Sequence, residues 1–256
     1  MGQTRNSFFD IVAMDALASG GSPLHRLDPR AKLVTSFIFI VAVVSFDPRE
    51  LPGLLPFCIY PAFLIRWGRL PAGYLLGRVA AVAPLAALVG IFNPFFDRDI
   101  LFWVGPAGIT GGWVSFLSIL LRFFLTALAA LILLASTGFN AVCDALIGCG
   151  VPRPFVMQLL FFHRYAFVLT EEALRMARAR SLRARDAAMP DIRTFASMAG
   201  HLLLRAWDRA ERIYLAMRSR GFDGHLPLTR TVKNGAPEAF FILFWSLLFI
   251  WLRFKA

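Results

Sequence analysis

The chain has 256 residues, 58% of them hydrophobic and only 17% charged, with a mean hydropathy of +0.63. A soluble globular domain is nearer half apolar and a quarter charged, so this composition excludes an ordinary soluble fold and implies several membrane-embedded helices. The formal charge of +11 is informative by placement: 15 of the 27 Lys and Arg residues fall between positions 141 and 237, in company with eight Asp or Glu, which marks a cytoplasmic segment of a membrane protein and not a nucleic-acid surface.

Residues 1–32 read as an interfacial lead-in that lacks the long apolar stretch of a cleavable signal. At its end Arg26, Arg30 and Lys32 stand where a positive-inside anchor belongs, with Asp28 as helix cap and Pro29 in the first turn. Helices are predicted over 33–46 and 51–65. Each apolar run spans only about 22 Å, so Lys32 and Arg66 must snorkel toward the headgroups. A third helix, 74–92, is alanine-rich and carries Pro84, which predicts a kink.

A loop with Asp97, Arg98 and Asp99 follows, and the glycines of Val104 to Gly112 read as turns. The fourth helix, 112–136, holds Arg122 near its middle. A charge there is costly unless it meets a partner, and three readings stand: a buried structural or inter-subunit pairing, a helix set lower in the membrane, or a direct part in transport. The fifth helix is predicted over 239–252. Five spans put the termini on opposite sides, with the cation-rich side cytoplasmic and the C-terminus outside, where Arg253 and Lys255 run against the charge rule.

The expected architecture is thus an all-α integral membrane protein: an interfacial segment (1–32), four transmembrane helices (33–136), a cytoplasmic insert (137–236) and a final transmembrane helix (237–256). Cys58, Cys143 and Cys149 form no CxxC, and His25, His163, His201 and His225 are scattered. No metal site and no catalytic residue is expected. A GxxxxGK[ST] phosphate loop is missing from the sequence, so any ATP hydrolysis belongs to a partner.

Within the insert, residues 151–224 contain two long amphipathic patterns. In the second, Phe195, Met198, Ala199, Leu202, Leu203, Ala206, Ala210, Ile213, Tyr214 and Met217 recur at three- and four-residue steps. Arg205, Asp208, Arg209, Glu211, Arg212 and Arg218 lie opposite, with Asp208 and Arg212 four apart. Asp191 starts this helix after Pro190, and Gly221 stops it. The first pattern begins at Pro152 and Pro154, pairs Glu171 with Arg175 at four residues, and joins the second through a turn at 187–190, giving a crossed or antiparallel pair.

Both helices end in cations: Arg180, Arg183 and Arg185, then Arg218 and Arg220. The helix dipole alone accounts for positive C-termini. Yet two triplets, Ala179-Arg180-Ser181 and Ser219-Arg220-Gly221, stand forty residues apart, which suits a duplicated use. A guanidinium beside a small neighbour can enter an acidic groove and pair bidentately with a carboxylate, so two such ends would engage two copies of one partner.

These stretches, with Ser22 to Leu33 and the Arg205 to Phe222 setting of the second triplet, resemble the transmembrane T component of energy-coupling factor transporters, in particular the cobalt and nickel subfamily called CbiQ or NikQ. The likeness covers essentially the whole chain. It implies an L-shaped helical protein of the bacterial cytoplasmic (inner) membrane, whose cytoplasmic coupling helices grip two ABC-type ATPases (CbiO- or NikO-like) that hold ATP and Mg2+. It further implies a substrate-capturing membrane subunit (CbiM- or NikM-like) that holds Co2+ or Ni2+, together with a small CbiN-like subunit in some systems. By this resemblance Arg180 and Arg220 are the coupling arginines. Ser181 and Ser219 depart from the commoner Ala-Arg-Gly form. Two other readings stand beside it: a membrane enzyme whose arginines bind phosphate, and a membrane scaffold without transport.

Overall fold

The computed structural model describes residues 17–18, 20–47, 50–93, 100–104, 107–183, 191–224 and 235–255. Residues 1–16 of the lead-in, the loop at Asp97 to Asp99, Arg185 with the turn at 187–190, and His225 lie outside the described residues. The chain divides into two compact units, Met1–Cys149 with Arg230–Ala256, and Gly150–Thr229.

The first unit opens with a short helix, α1 (Pro23–Arg26), and α2 (Pro29–Val44). The Asp28 carboxylate accepts the Arg30 backbone N–H at 2.8 Å and Pro29 sits in the first turn, the cap that the sequence predicts. Next come α3 (Leu51–Leu54), a 3-10 turn (Leu55–Cys58) and α4 (Ile59–Gly68), where one regular helix was expected. Pro56 accounts for the irregular turn, since it has no N–H to donate and its ring crowds the carbonyl four residues back. In contrast, α5 (Ala72–Gly90) stays helical through Pro84.

An antiparallel hairpin, β1 (Ile100–Val104) and β2 (Ala107–Thr110), replaces the expected glycine turns. Ile100, Phe102, Trp103 and Val104 are residues that favour extended backbone, and the pairing outweighs the glycines that follow. Two apolar helices follow, α6 (Gly111–Thr137) and α7 (Phe139–Gly148), the latter unforeseen and separated from α6 by Gly138 at φ +79°. The chain then forms α8 (Arg153–Arg183) and α9 (Ile192–Ser219) of the second unit and returns to the first as α10 (Ala236–Lys255).

Among the described residues, Leu51–Gly68, Ala72–Gly90, Gly111–Thr137 and Ala236–Lys255 are long and apolar enough to cross a membrane. With 16 residues, α2 reaches about 24 Å. On α5 the side chains of Leu85, Leu88 and Val89 are about two-thirds exposed, an apolar surface that only lipid or another membrane helix can cover. The protein is therefore a multi-pass membrane protein, helical among the described elements apart from one hairpin.

Aromatic rings from three elements close the core. Phe39 of α2 lies 4.6 Å from Tyr60 of α4, and Phe249 of α10 lies 5.4 Å from Phe39 and 5.2 Å from Tyr60. The Tyr60 hydroxyl meets Ser36 Oγ at 3.1 Å, so its polar tip is satisfied inside the bundle.

Two cations set α2 against α6. Lys32, only 3% exposed, donates to the Ser136 carbonyl at 3.0 Å and to Thr137 Oγ1 at 3.3 Å. At the other end Arg122 Nη2 donates to the Asp47 carbonyl at 2.5 Å. The contacts are fifteen residues apart along the α2 side and fourteen along α6, matching rises of about 22 Å that make the two helices antiparallel. Lys32 thus lies where α6 ends in unpaired carbonyls and the negative end of its dipole, and Arg122 meets the chain just past the end of α2 at the Asp47 carbonyl, which also accepts the Glu50 N–H at 3.1 Å. Lys32 is buried in this role and does not snorkel.

The same end of α2 takes a third cation. Arg253 donates to the Ser45 carbonyl at 2.9 Å, approaches the Glu50 carboxylate at 3.4 Å and lies 4.2 Å over the Phe46 ring. These contacts tie Arg253 to the end of α2. Near the opposite end, the Arg30 guanidinium covers Gly148 so closely that a Cβ there would displace it.

The end of α4 is unusual. The Arg69 N–H bonds to the Arg66 carbonyl and the Leu70 N–H to the Ile65 carbonyl, a paired closure whose left-handed position normally takes glycine. Here Arg69 occupies it at φ +50°, at a cost of about 1 kcal/mol.

Candidate functional site

The second unit is built from two long helices, and its charges identify the site. The first, α8, needs no internal cap for 31 residues because good helix formers dominate its later turns and no proline interrupts it after Pro154. Glu171 and Arg175 meet at 3.8 Å, the four-residue pair that the sequence predicts. Between α8 and α9 the link is Glu172, for which the sequence suggested a four-residue neighbour, Met176, and no role in the site. Its carboxylate accepts from Arg175 at 2.7 Å and from Arg205 of α9. Only the three-residue spacing of Glu172 and Arg175 hinted at the first contact; the second joins residues 33 positions apart.

The bonds from Arg175, and then those from Arg205, hold the Glu172 carboxyl below the ordinary carboxylate range. A glutamate is ionised at neutral pH in any case; the arginines extend its negative charge to more acid pH. Beside this link lies a groove of 660 Å³ lined by Met176, Ala179, Arg180 and Arg183 of α8 and by Met198 and His201 of α9. The helices meet along this stretch; of the predicted stripe of α9, Met198, Leu202, Ala206, Ile213 and Met217 are half-buried, whereas Phe195, Ala199, Leu203, Ala210 and Tyr214 are exposed, so the covered face is narrower than predicted.

The two arginine triplets differ in conformation. Helix α8 continues to Arg183, so Ala179, Arg180 and Ser181 are all helical and Arg180 sits in the last turn, not beyond the helix end. Ser181 Oγ donates to the Arg178 carbonyl at 2.8 Å, a bond that leaves the helix intact. Glycine and proline are both missing between Ala179 and Arg183, which explains the continuation.

The second triplet is a helix terminus. Ser219 is the last residue of α9, Arg220 is the cap, and Gly221 turns left-handed at φ +78°. The Phe222 N–H bonds to the Met217 carbonyl at 3.1 Å and the Gly221 N–H to the Arg218 carbonyl at 3.0 Å, the paired bonds of a glycine-closed C-terminus. Arg220 therefore projects from a fixed end, where the dipole favours its charge.

Arg180 and Arg220 make no ion pair or side-chain hydrogen bond among the described residues. Neither do Arg183, Asp208, Arg209, Glu211 and Arg212, so the expected four-residue pair of Asp208 and Arg212 is not formed. Both side chains stay in solvent, where such a pair adds little. Arg218 lies 5.9 Å over the Tyr214 ring. Of the supporting charges predicted on α9, only Arg205 joins the groove; the rest form a solvated face.

No group of three or more His, Cys, Asp or Glu among the described residues could hold a metal ion. His25 is held between the Ser22 hydroxyl at 2.6 Å and the Leu17 carbonyl at 3.0 Å, and His163 sits edge-on to Phe167.

The family described as CbiQ, cobalt transport protein, matches residues 20–231, a stretch holding both triplets and the Arg30 and Lys32 contacts. The chain belongs to the CbiQ/EcfT family. Among the relatives of this family member, the energy-coupling factor transporter transmembrane protein EcfT of Limosilactobacillus fermentum is 28% identical over 224 residues, covering 82% of this chain and 83% of that protein. EcfT of Streptococcus thermophilus is 24% identical over 220 residues, covering 80% and 83%. An uncharacterized protein of Methanocaldococcus jannaschii is 32% identical over 103 residues, which are 40% of this chain and 38% of that protein. As a CbiQ/EcfT protein, the chain is the transmembrane coupling subunit of an ECF-type ABC transporter. Members of the family are non-catalytic, and their transporters typically include ATPase and substrate-binding subunits.

Proposed function

We propose that this chain transmits the closure of two ABC-type ATPase subunits to a separate substrate-capturing membrane subunit and so drives import of cobalt or nickel ions. Cobalt, the ion in the matching family's description, is the first candidate cargo. Nickel, a divalent ion that suits similar nitrogen and oxygen ligands, is the second. The observation that carries the reading is that Arg180 in the last turn of α8 and Arg220 at the end of α9 make no ion pair or side-chain hydrogen bond among the described residues, as is also true of Arg183, Arg209 and Arg212, whereas Lys32, Arg122, Arg205 and Arg253 all have partners.

In this reading each guanidinium enters an acidic groove on one ATPase, and the ATPases bind ATP and Mg2+. Linked through Glu172 and Arg205, α8 and α9 move together when the ATPases close. The exposed apolar side chains of α9, among them Phe195, Leu203, Leu204, Trp207 and Leu215, offer the substrate-capturing subunit a surface. The insert lies in the cytoplasm with Arg30 and Lys32 at the near membrane face, and α2 is a fifth, short span antiparallel to α6. The Arg30 and Lys32 contacts then brace the ends of α7 and α6, where the chain leaves for the insert.

Arg180→Glu and Arg220→Glu together, in the co-expressed transporter, are expected to remove the ATPases from the purified complex and reduce cellular cobalt uptake to the level without transporter. Unchanged ATPase association in the double variant would sink the proposal. Elemental analysis of cells supplied with cobalt or nickel distinguishes the two cargoes.

A further inference from the structure

We infer that the first unit carries a binding site for an anionic phospholipid, with the headgroup phosphate on Arg66 and Arg69 and an acyl chain in the apolar cleft between α4, α5 and α6. The cleft has a volume of 810 Å³, and its wall includes Leu70, Leu76, Phe124 and Leu128. Arg66 and Arg69 are the charged residues on that wall, and no carboxylate shares it. Neither arginine makes an ion pair or side-chain hydrogen bond among the described residues.

Arg66 and Arg69 are both exposed, stand three residues apart and line the same cleft, so one anion can be shared between them. Arginine occupies the left-handed position that closes α4, at φ +50°, one residue after a glycine. The strained turn places a second cation at the mouth of the cleft, and strain of this kind is retained where a site needs it. Gly68 does not relieve the strain: its Cβ position is 2.9 Å from Leu24 Cδ2, so the close approach of α1 takes up the glycine instead.

The shape selects the ligand. Free phosphate would leave the long apolar wall uncovered, whereas a phospholipid matches charge at the mouth and hydrocarbon within. Basic pockets at the end of apolar helices are recognised ways of holding anionic headgroups. A neighbouring transporter subunit is the competing occupant, and the test tells them apart.

The full chain is reconstituted in nanodiscs of phosphatidylcholine and phosphatidylglycerol, extracted in mild detergent, and its retained lipid is measured by mass spectrometry. The wild type is expected to hold phosphatidylglycerol above its bulk share. Each guanidinium contributes about a fivefold preference, so Arg66→Gln with Arg69→Gln should lower the enrichment about 25-fold. Arg66→Lys with Arg69→Lys should keep most of it, Leu76→Trp should block the cleft and lose it, and Arg78→Gln, outside the cleft, should leave it intact. Retention that follows bulk composition in the wild type, or that survives both the double Gln variant and Leu76→Trp, overturns the inference. So does a photocrosslinker at Leu76 that captures a protein subunit in place of lipid in native membranes.

Discussion

In the apolar bundle Lys32, Arg122 and Arg253 each reach a backbone carbonyl at a helix end, whereas in the basic unit Arg180 and Arg220 reach no side-chain partner among the described residues. The difference follows from the surroundings. A cation inside apolar packing must replace the water it loses, and the carbonyls that end a helix are the nearest unpaired acceptors. On a water-exposed helix the same side chain is already solvated, so it can stay uncommitted until a partner supplies a carboxylate. Lys32 and Arg122 thus serve the fold, as Arg175 and Arg205 do through Glu172, whereas Arg180 and Arg220 are available for an assembly.

Thermal unfolding of the detergent-solubilised chain gives the strongest test of that contrast. Lys32→Met leaves the Ser136 carbonyl without its charged donor and is expected to destabilise by about 3 kcal/mol. Arg122→Met, half-buried and with one bond to Asp47, should cost about 1.5 kcal/mol. Arg180→Met and Arg220→Met should stay within about 0.5 kcal/mol of the wild type. If either of these lowered stability as much as Lys32→Met, the division between structural and uncommitted cations would not stand.

A smaller effect separates the two triplets. Gly221→Ala puts a Cβ at φ +78° and should cost about 1 kcal/mol while shifting Arg220, with weaker ATPase co-purification as the readout. Ser181→Ala lies within a continuing helix and should change neither stability nor co-purification measurably. Equal effects at the two positions would show that the triplets end their helices alike.

The mildest perturbation is protonation of Glu172. Its folded pKa is depressed, so its contribution to the α8–α9 contact is complete above the ordinary value of 4.5 and is lost as pH falls through the lowered value. Spin labels at Arg178 and Phe195 in the full chain should report a broader separation on acidification. Glu172→Gln should give the broad distribution already at neutral pH and no further acid response; an unchanged response in that variant would assign the effect to other groups.

Much of the fold was legible because lipid imposes long apolar runs and because caps are local. The helices containing Tyr74, Arg122 and Phe249, the Asp28 cap and the Gly221 stop could all be read from neighbouring residues. Pro56 also carried its signal locally, though an apolar run concealed it. Continuation of α8 through Arg180 followed from the lack of glycine or proline there, yet the repeated triplets suggested two equivalent ends. The hairpin was hidden because isolated glycines do not report strand pairing.

The sequence by itself determined the class of the protein, the amphipathic insert and the two arginines that the proposed coupling uses, since periodicity, breakers and charge placement act over one or two turns. Tertiary structure decided that Lys32 is buried on Ser136, that Arg122 meets Asp47, and that Glu172 joins Arg205. Each contact links residues 33 to 104 positions apart. Whether a charge is caged or left in water depends on which helix end the packed chain brings beside it, and no local pattern carries that information.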